Sequence, residues 1–268
     1  MTMRIGVAIV AIAVLAAVVG PWLVPHDPAA QNLPLRLTGP SLTHPFGVDE
    51  LGRDVLARIL AGAGISLLVG LIVVGVSASL GLLLGSVAGY FGGLIDDAIS
   101  RVSDVLLAFP GLLLAIALVA VLGPSLVNVV LALSAIGWVT YARLVRAQVL
   151  RTRELEYVAA ARALGARVPR ILWWHVIPST IPSLVVQSTL GMAAAIIAEA
   201  SLSFLGLGVQ PPTPSWGTMI NGGRAHLLDA PHLTVFPGLA IALLVLGFNF
   251  LGDALRDVTD RRDVAELR

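Results

Sequence analysis

Six apolar runs constrain this chain more than anything else in it. They fall at Ile5–Val24, Ser66–Tyr90, Val105–Leu122, Leu126–Tyr141, Leu184–Leu205 and Leu233–Leu251. A helix needs about 20 apolar residues to cross a bilayer, and a chain of 268 residues has no soluble core large enough to bury six such segments. The sequence is 57% hydrophobic and 12% charged, so the expected fold class is an all-α polytopic membrane protein with six transmembrane helices. The first run follows a single Arg, as in a signal peptide. It is too long for a signal-peptide core and five more runs follow, so it is read as a retained helix over 1–24.

Composition then removes whole classes of chemistry. There is no cysteine, which excludes disulfides, thiolate metal sites and cysteine nucleophiles. All 17 basic residues are Arg. Without Lys the chain has neither a P-loop nor a Schiff-base nucleophile. The formal charge of +1 argues against nucleic-acid binding. All five His lie outside the apolar runs and no HExxH occurs, so no catalytic residues and no metal ligands are assigned. The acids Asp27, Asp49, Glu50 and Asp54 read as solvated or capping residues of a loop. The chain is expected to be a membrane component rather than an enzyme.

Arg distribution orients the spans. Thirteen of the seventeen Arg fall in 1–4, 91–103, 142–180 and 253–268, and four fall in the alternate loops. The positive-inside bias places both termini in the cytoplasm. On this reading 25–65 is an external loop with an amphipathic approach to the second span. Residues 66–257 form the transmembrane core, and 258–268 form a cytoplasmic tail. Ser77, Gly81, Gly85 and Gly89 recur every four residues, a stripe on which another helix can pack closely. Pro110 predicts a kink in the third span. In the fifth span Gln187, Gly191, Glu199 and Ser203 lie on one slowly drifting stripe. They are candidates for a translocation path, and Glu199 is either a path residue or a partner of a neighbouring helix.

The cytoplasmic segment 151–178 is too elaborate for a connection. Thr152 is a plausible N-cap, with Glu154 and Glu156 in the first turn. Gly165 is a natural stop, Pro169 opens a second helix, and that helix is expected to end before Pro178. The result is a helix–Gly–helix elbow with an alanine-rich surface, while Trp173 and Trp174 suit the level of the lipid headgroups.

This segment, "EYVAAARALG…HVIP", resembles the EAA loop of permease subunits of bacterial ABC importers. Ala160, Ala161, Gly165, Ile177 and Pro178 keep the motif's spacing, whereas Ala159 stands at its Glu and His175 at its Ile. "HPFGVDELGRDVLARILAGAGISL", "ASLSFLGLGVQPPTPSWGTMI" and "FPGLAIALLVLGFNFLGDALRD" are similar to signatures of the dipeptide, oligopeptide and nickel branch of that family, in the same order. The resemblance implies a MetI-like ABC permease fold and the second subunit of a permease heterodimer in the bacterial inner membrane. The implied partners are a homologous permease subunit, two ATPase subunits, an external solute-binding protein and membrane lipid. No cofactor is implied on this chain; ATP and Mg would sit on the ATPases. The elbow would be the coupling element, with Glu156, Tyr157, Ala159, Ala160, Ala161, Gly165, Ile177 and Pro178 as its ATPase-coupling residues. The implied cargo is a di- or oligopeptide or a related small solute such as glutathione or nickel. The alternative is an ion-gradient-driven secondary transporter working through Glu199.

Overall fold

The computed structural model describes residues 2–266. Ten α-helices carry the described chain: α1 Thr2–Leu23, α2 Val55–Phe91, α3 Gly93–Leu107, α4 Gly111–Leu122, α5 Leu126–Thr152, α6 Glu156–Ala163, α7 Val168–Ile171, α8 Ile177–Phe204, α9 Trp216–Gly223 and α10 His232–Glu266. Among the described residues the only β pairing is an isolated antiparallel bridge between Val48 and Asp54. Five helices are long and apolar enough to cross a membrane, and the bent pair α3–α4 makes six if counted as one span. Of the tail expected over 258–268, residues 267 and 268 lie outside the described residues, and α10 runs on through the rest.

Helix α2 is the axis of the molecule. At 37 residues it is about 55 Å long, well beyond a bilayer core. It starts eleven residues before the expected Ser66, because the charges near its head are satisfied rather than solvated. Asp54 caps the helix by accepting the Ala57 N–H at 2.7 Å. Arg53 Nε donates to Asp49 Oδ2 at 2.7 Å, and Arg58 lies 3.5 Å from the same oxygen. Arg58 also donates to the Pro28 carbonyl at 3.1 Å. The acids of this loop are therefore capping and pairing groups, and Asp49 and Asp54 are buried.

The small-residue stripe of α2 packs against α5. A Cβ on Gly81 would strike the Tyr141 side chain, one on Gly85 would lie 2.5 Å from the Ala142 carbonyl oxygen, and one on Gly89 would lie 2.8 Å from Val149 Cβ. Gly137 of α5 answers by leaving room for Ser77. Close backbone approach of this kind is how helices associate in lipid, where hydrophobic burial gives little drive. Helix α1 uses the same device on α10: Gly6 and Gly247 each leave no room for a side chain at their contact.

Pro110 does more than kink the third span. Chain direction changes by 85° between α3 and α4. Proline at 110 has no N–H to continue the helix and disfavours the helical conformation at the residue before it. Helix α4 has 12 residues, about 18 Å, too short to cross alone. Helix α3, expected as part loop, is amphipathic and is tied to α5 by ion pairs Asp96–Arg146 and Asp104–Arg143.

At the end of the bundle where α2 begins, the chain segments before α2 and around α9 close over the helices. Trp216 Nε1 donates to the Ile59 carbonyl at 3.0 Å, with Gly62 providing space beneath the ring. Phe46 and Phe236 stack at 4.2 Å between ring centres. The elbow 153–176 lies at the opposite end, where Arg153 Nη1 donates to the Gly89 carbonyl at 2.8 Å and so caps the tail of α2.

Candidate functional site

The elbow is built on a small apolar anchor. Val158 is fully buried and clusters with Val145 and Val149 of α5 and with Ile171 and Val176 of the following helix. This single buried side chain fixes α6 and leaves most of its surface free. Ala159, Ala160, Ala163, Leu164 and Gly165 are exposed, and Leu164 is 88% accessible. Ala161 is half-buried.

Helix α6 ends as its sequence predicts. Gly165 has φ +81°, its N–H donates to the Arg162 carbonyl, and the Ala166 N–H donates to the Ala161 carbonyl. That pair of bonds is a Schellman motif, which needs a residue that tolerates the left-handed region. Its start differs from expectation. Thr152 is not an N-cap: it is the buried last residue of α5, and its Oγ1 meets Ser179 Oγ at 3.0 Å. Helix α6 begins at Glu156 with no side-chain cap on Leu155, because α5 carries its helical path eleven residues past Tyr141 before turning.

The second helix of the elbow also departs from expectation. It does not stop before Pro178 but continues into α8 through one π-helical turn over Leu172–Val176. Within it the Ile177 N–H donates to the Leu172 carbonyl, five residues back. Proline at 178 lacks the N–H for an α bond, and its ring would crowd the carbonyl four residues earlier. The wider turn relieves that crowding without breaking the helix. The second helix of the elbow is thus one continuous helical path with α8, set off from α6 by the Gly165 turn. Two side-chain contacts tie α5 to α8 beside it, Thr152–Ser179 and Gln148 Nε2 donating to Ser183 Oγ at 3.2 Å.

The remaining coupling candidates are gathered here as well. Tyr157 lies over His175, with its Oη donating to the His175 carbonyl at 3.3 Å, and partial burial pushes its phenol above the ordinary pKa. Glu156 is exposed in the first turn of α6, where the helix dipole favours an acid. Ile177 and Pro178 head α8. Trp173 and Trp174 are 65% and 76% exposed on the outer side of the π turn. Arg162 reaches across to the Tyr90 ring, 5.9 Å from its centre.

The path candidates separate into two places. Gln187 and Gly191 line an open cavity of ≈ 240 Å³ between α2, α4, α5 and α8. Its wall includes Ser77 and Tyr141, and the buried Ser77 Oγ has no hydrogen-bond partner among the described residues. Glu199 and Ser203 do not line this cavity. Glu199 is fully buried, accepting from Ser203 Oγ at 2.7 Å and from Ser66 Oγ of α2 at 3.4 Å. Ser203 Oγ in turn takes the Val209 N–H at 3.3 Å. Residues four apart on a helix drift by about 40° per step, so the stripe turns by about 160° between Gln187 and Ser203. One end faces the cavity and the other is folded into the joint with α2. That joint was not legible in the sequence, since Ser66 is 133 residues from Glu199.

Comparison with known proteins accords with this arrangement. Residues 81–263 match the family model described as the binding-protein-dependent transport system inner membrane component. Residues 3–40 match the N-terminal transmembrane domain of oligopeptide transport permease C. A dipeptide transport system permease protein of Alkalihalophilus pseudofirmus is 45% identical over 256 residues, covering 96% of this chain and 84% of the relative. A glutathione transport system permease protein of Escherichia coli O157:H7 is 48% identical over 250 residues, covering 92% and 82%. A probable D,D-dipeptide transport system permease protein of Escherichia coli K12 is 43% identical over 252 residues, covering 94% and 85%.

Proposed function

We propose, from the premise that this chain belongs to the binding-protein-dependent transport system inner membrane components, that it is the second subunit of a permease pair importing short peptides or a glutathione-like solute. Membership makes it a multi-pass inner-membrane permease subunit of an ABC importer, a transport component and not an enzyme. The finer assignments rest on geometry and on what its relatives are named for.

The elbow carries the mechanism. It is an exposed, alanine-rich helix held by one buried valine and ended by a fixed Gly165 turn, followed by a second helix that runs without a break into α8. In our reading α6 seats in a groove of one ATPase subunit, through Ala159, Ala160, Ala161 and Gly165. Glu156 and Tyr157 flank the contact, and Ile177 with Pro178 pass its motion to α8. Small side chains let a partner approach the backbone closely. ATP and Mg stay on the ATPases, and closure of that pair moves α8 relative to α2 and α5.

Because α8 supplies Gln187 and Gly191 to the cavity, its movement would reshape that space directly. We assign the cavity to the half-path contributed by this subunit, facing the homologous permease subunit. An external binding protein would deliver solute at the opposite end. The excess of Arg around the elbow supports a cytoplasmic location for that end and for both termini.

A gradient-driven mechanism through Glu199 has no support: the carboxylate is folded between Ser66 and Ser203, away from the cavity. The test is uptake by proteoliposomes holding both permease subunits, with radiolabelled dipeptide and glutathione presented by the cognate binding protein. Uptake that requires ATP and the ATPases supports the reading. Uptake by the permease pair alone, driven by an ion gradient, refutes it.

A further inference from the structure

At the end opposite the elbow, Asp54 caps α2 with one carboxylate oxygen and turns the other to two His. His26 follows α1, His44 sits in the middle of the loop, and Asp54 caps α2. Their candidate ligand atoms all lie within 4.8 Å of one another. Asp54 is the pivot. Its Oδ1 is occupied by the Ala57 N–H at 2.7 Å, while its Oδ2 meets His44 Nδ1 at 2.7 Å and lies 3.9 Å from His26 Nδ1. The two imidazole rings are 4.7 Å apart and tilted by 39°. Asp54 is almost fully buried, His44 partly, and His26 is the most open, with 37% of its side chain exposed.

We propose that His26, His44 and Asp54 form a binding site for a borderline divalent transition metal of the zinc class. Two imidazoles and one carboxylate are the donor set such ions prefer, whereas calcium and magnesium take oxygen donors. In a tetrahedral zinc site at about 2.0–2.1 Å from each ligand, donor atoms stand about 3.4 Å apart. Asp54 and His44, at 2.7 Å, must open by about 0.7 Å, while His26, 3.9 Å from Asp54 in a group whose ligand atoms lie within 4.8 Å of one another, must close by about 0.5–1.4 Å. His26 is the exposed member, on the short segment after α1, so it is the one free to move. The metal takes the place of the Nδ1 proton that His44 donates to Asp54, and that same proton moves to Nε2, so the imidazole stays neutral and Asp54 stays ionised. A fourth position stays open to the cleft lined by Gln31 and Asn32.

The consequence is mechanical. The ligands come from the exit of α1, the crest of the loop and the first turn of α2, so a bound ion cross-links three segments that otherwise meet through a few hydrogen bonds. It would hold this face as one unit where a binding protein must land.

The test uses the full-length chain in nanodiscs, stripped with a chelator and titrated with Zn²⁺ against a chromophoric competitor, and separately with Co²⁺ read by its visible absorption. The expected result is one saturable equivalent with a tetrahedral Co²⁺ spectrum and a Zn²⁺-dependent rise in thermal midpoint. His26→Ala and His44→Ala should each weaken Zn²⁺ binding by at least the roughly tenfold that loss of an outer-shell partner alone costs. Asp54→Asn keeps an acceptor for the Ala57 N–H and so separates loss of the ligand from loss of the cap. His226→Ala, away from the cluster, should bind as the parent does. Absence of saturable binding, or unchanged affinity in both His26→Ala and His44→Ala, overturns the proposal. Should Asp54→Asn fail to fold, the exposed His26 decides the matter.

Discussion

Replacing Ala160 by Glu tests the elbow without disturbing the fold. Ala160 is exposed on α6 and packs against nothing the helix needs; the anchor is Val158. Glu is a good helix former, and an exposed substitution of this kind changes stability by about 0.5 kcal/mol or less. In the assembled transporter the same carboxylate would be enclosed by the ATPase groove. An uncompensated charge buried at an interface costs about 3–5 kcal/mol. At about 1.4 kcal/mol per factor of ten, that weakens docking at least about 100-fold. Because a chance Arg in the groove would rescue Glu, Ala160→Arg is made alongside; one groove does not accommodate both charges. The assay is co-purification of the ATPases with the permease pair, with uptake on the same preparations and thermal midpoint as control. Both variants should insert and melt like the parent and lose ATPase and uptake together. Full retention of both by both variants would refute the coupling assignment.

Three further outcomes follow from particular contacts. Gly165→Ala meets no neighbour but forces an L residue to φ +81°, a strain of about 1–2 kcal/mol; Gly165→Asn tolerates that region better, so Asn should retain more uptake than Ala. Gly85→Val places a Cβ 2.5 Å from a backbone carbonyl of α5, which has nowhere to go. A loss of about 1–3 kcal/mol should appear as a lowered thermal midpoint of the detergent-solubilised subunit. Glu199→Gln keeps an acceptor for Ser203 and turns its amide to the Ser66 Oγ, which then accepts, and should transport normally, whereas Glu199→Ala strands two buried hydroxyls at about 1–3 kcal/mol each. Loss of uptake in the Gln variant at unchanged stability would return Glu199 to the solute path.

What the sequence made legible was local or periodic. The Gly165 turn follows from one glycine after an alanine-rich helix, and a close-packing face on α2 from Ser77, Gly81, Gly85 and Gly89 at a spacing of four, though that spacing does not say that α5 fills it. Features that depend on neighbours were not readable. Thr152 looks like a cap until α5 is seen to run through it. Pro178 looks like a stop, but a π turn absorbs it. The stripe from Gln187 to Ser203 reads as one face, yet its drift carries Glu199 into the joint with Ser66. The early start of α2 depended on Asp49 pairing with Arg53 and Arg58 across a turn. The cluster of His26, His44 and Asp54 depends on the whole course of the loop, which brings three separated residues together.

The chain's lack of cysteine makes the most direct measurement simple, because any thiol introduced is unique in it. Ala160→Cys is placed in the assembled importer and treated with a short thiol-reactive photo-crosslinker, with Leu42→Cys on the exposed loop at the opposite end as the control. The account predicts that Ala160→Cys crosslinks to an ATPase subunit and that Leu42→Cys does not. No ATPase adduct from Ala160→Cys, or labelling of that thiol by a membrane-impermeant maleimide added outside intact cells, would contradict it.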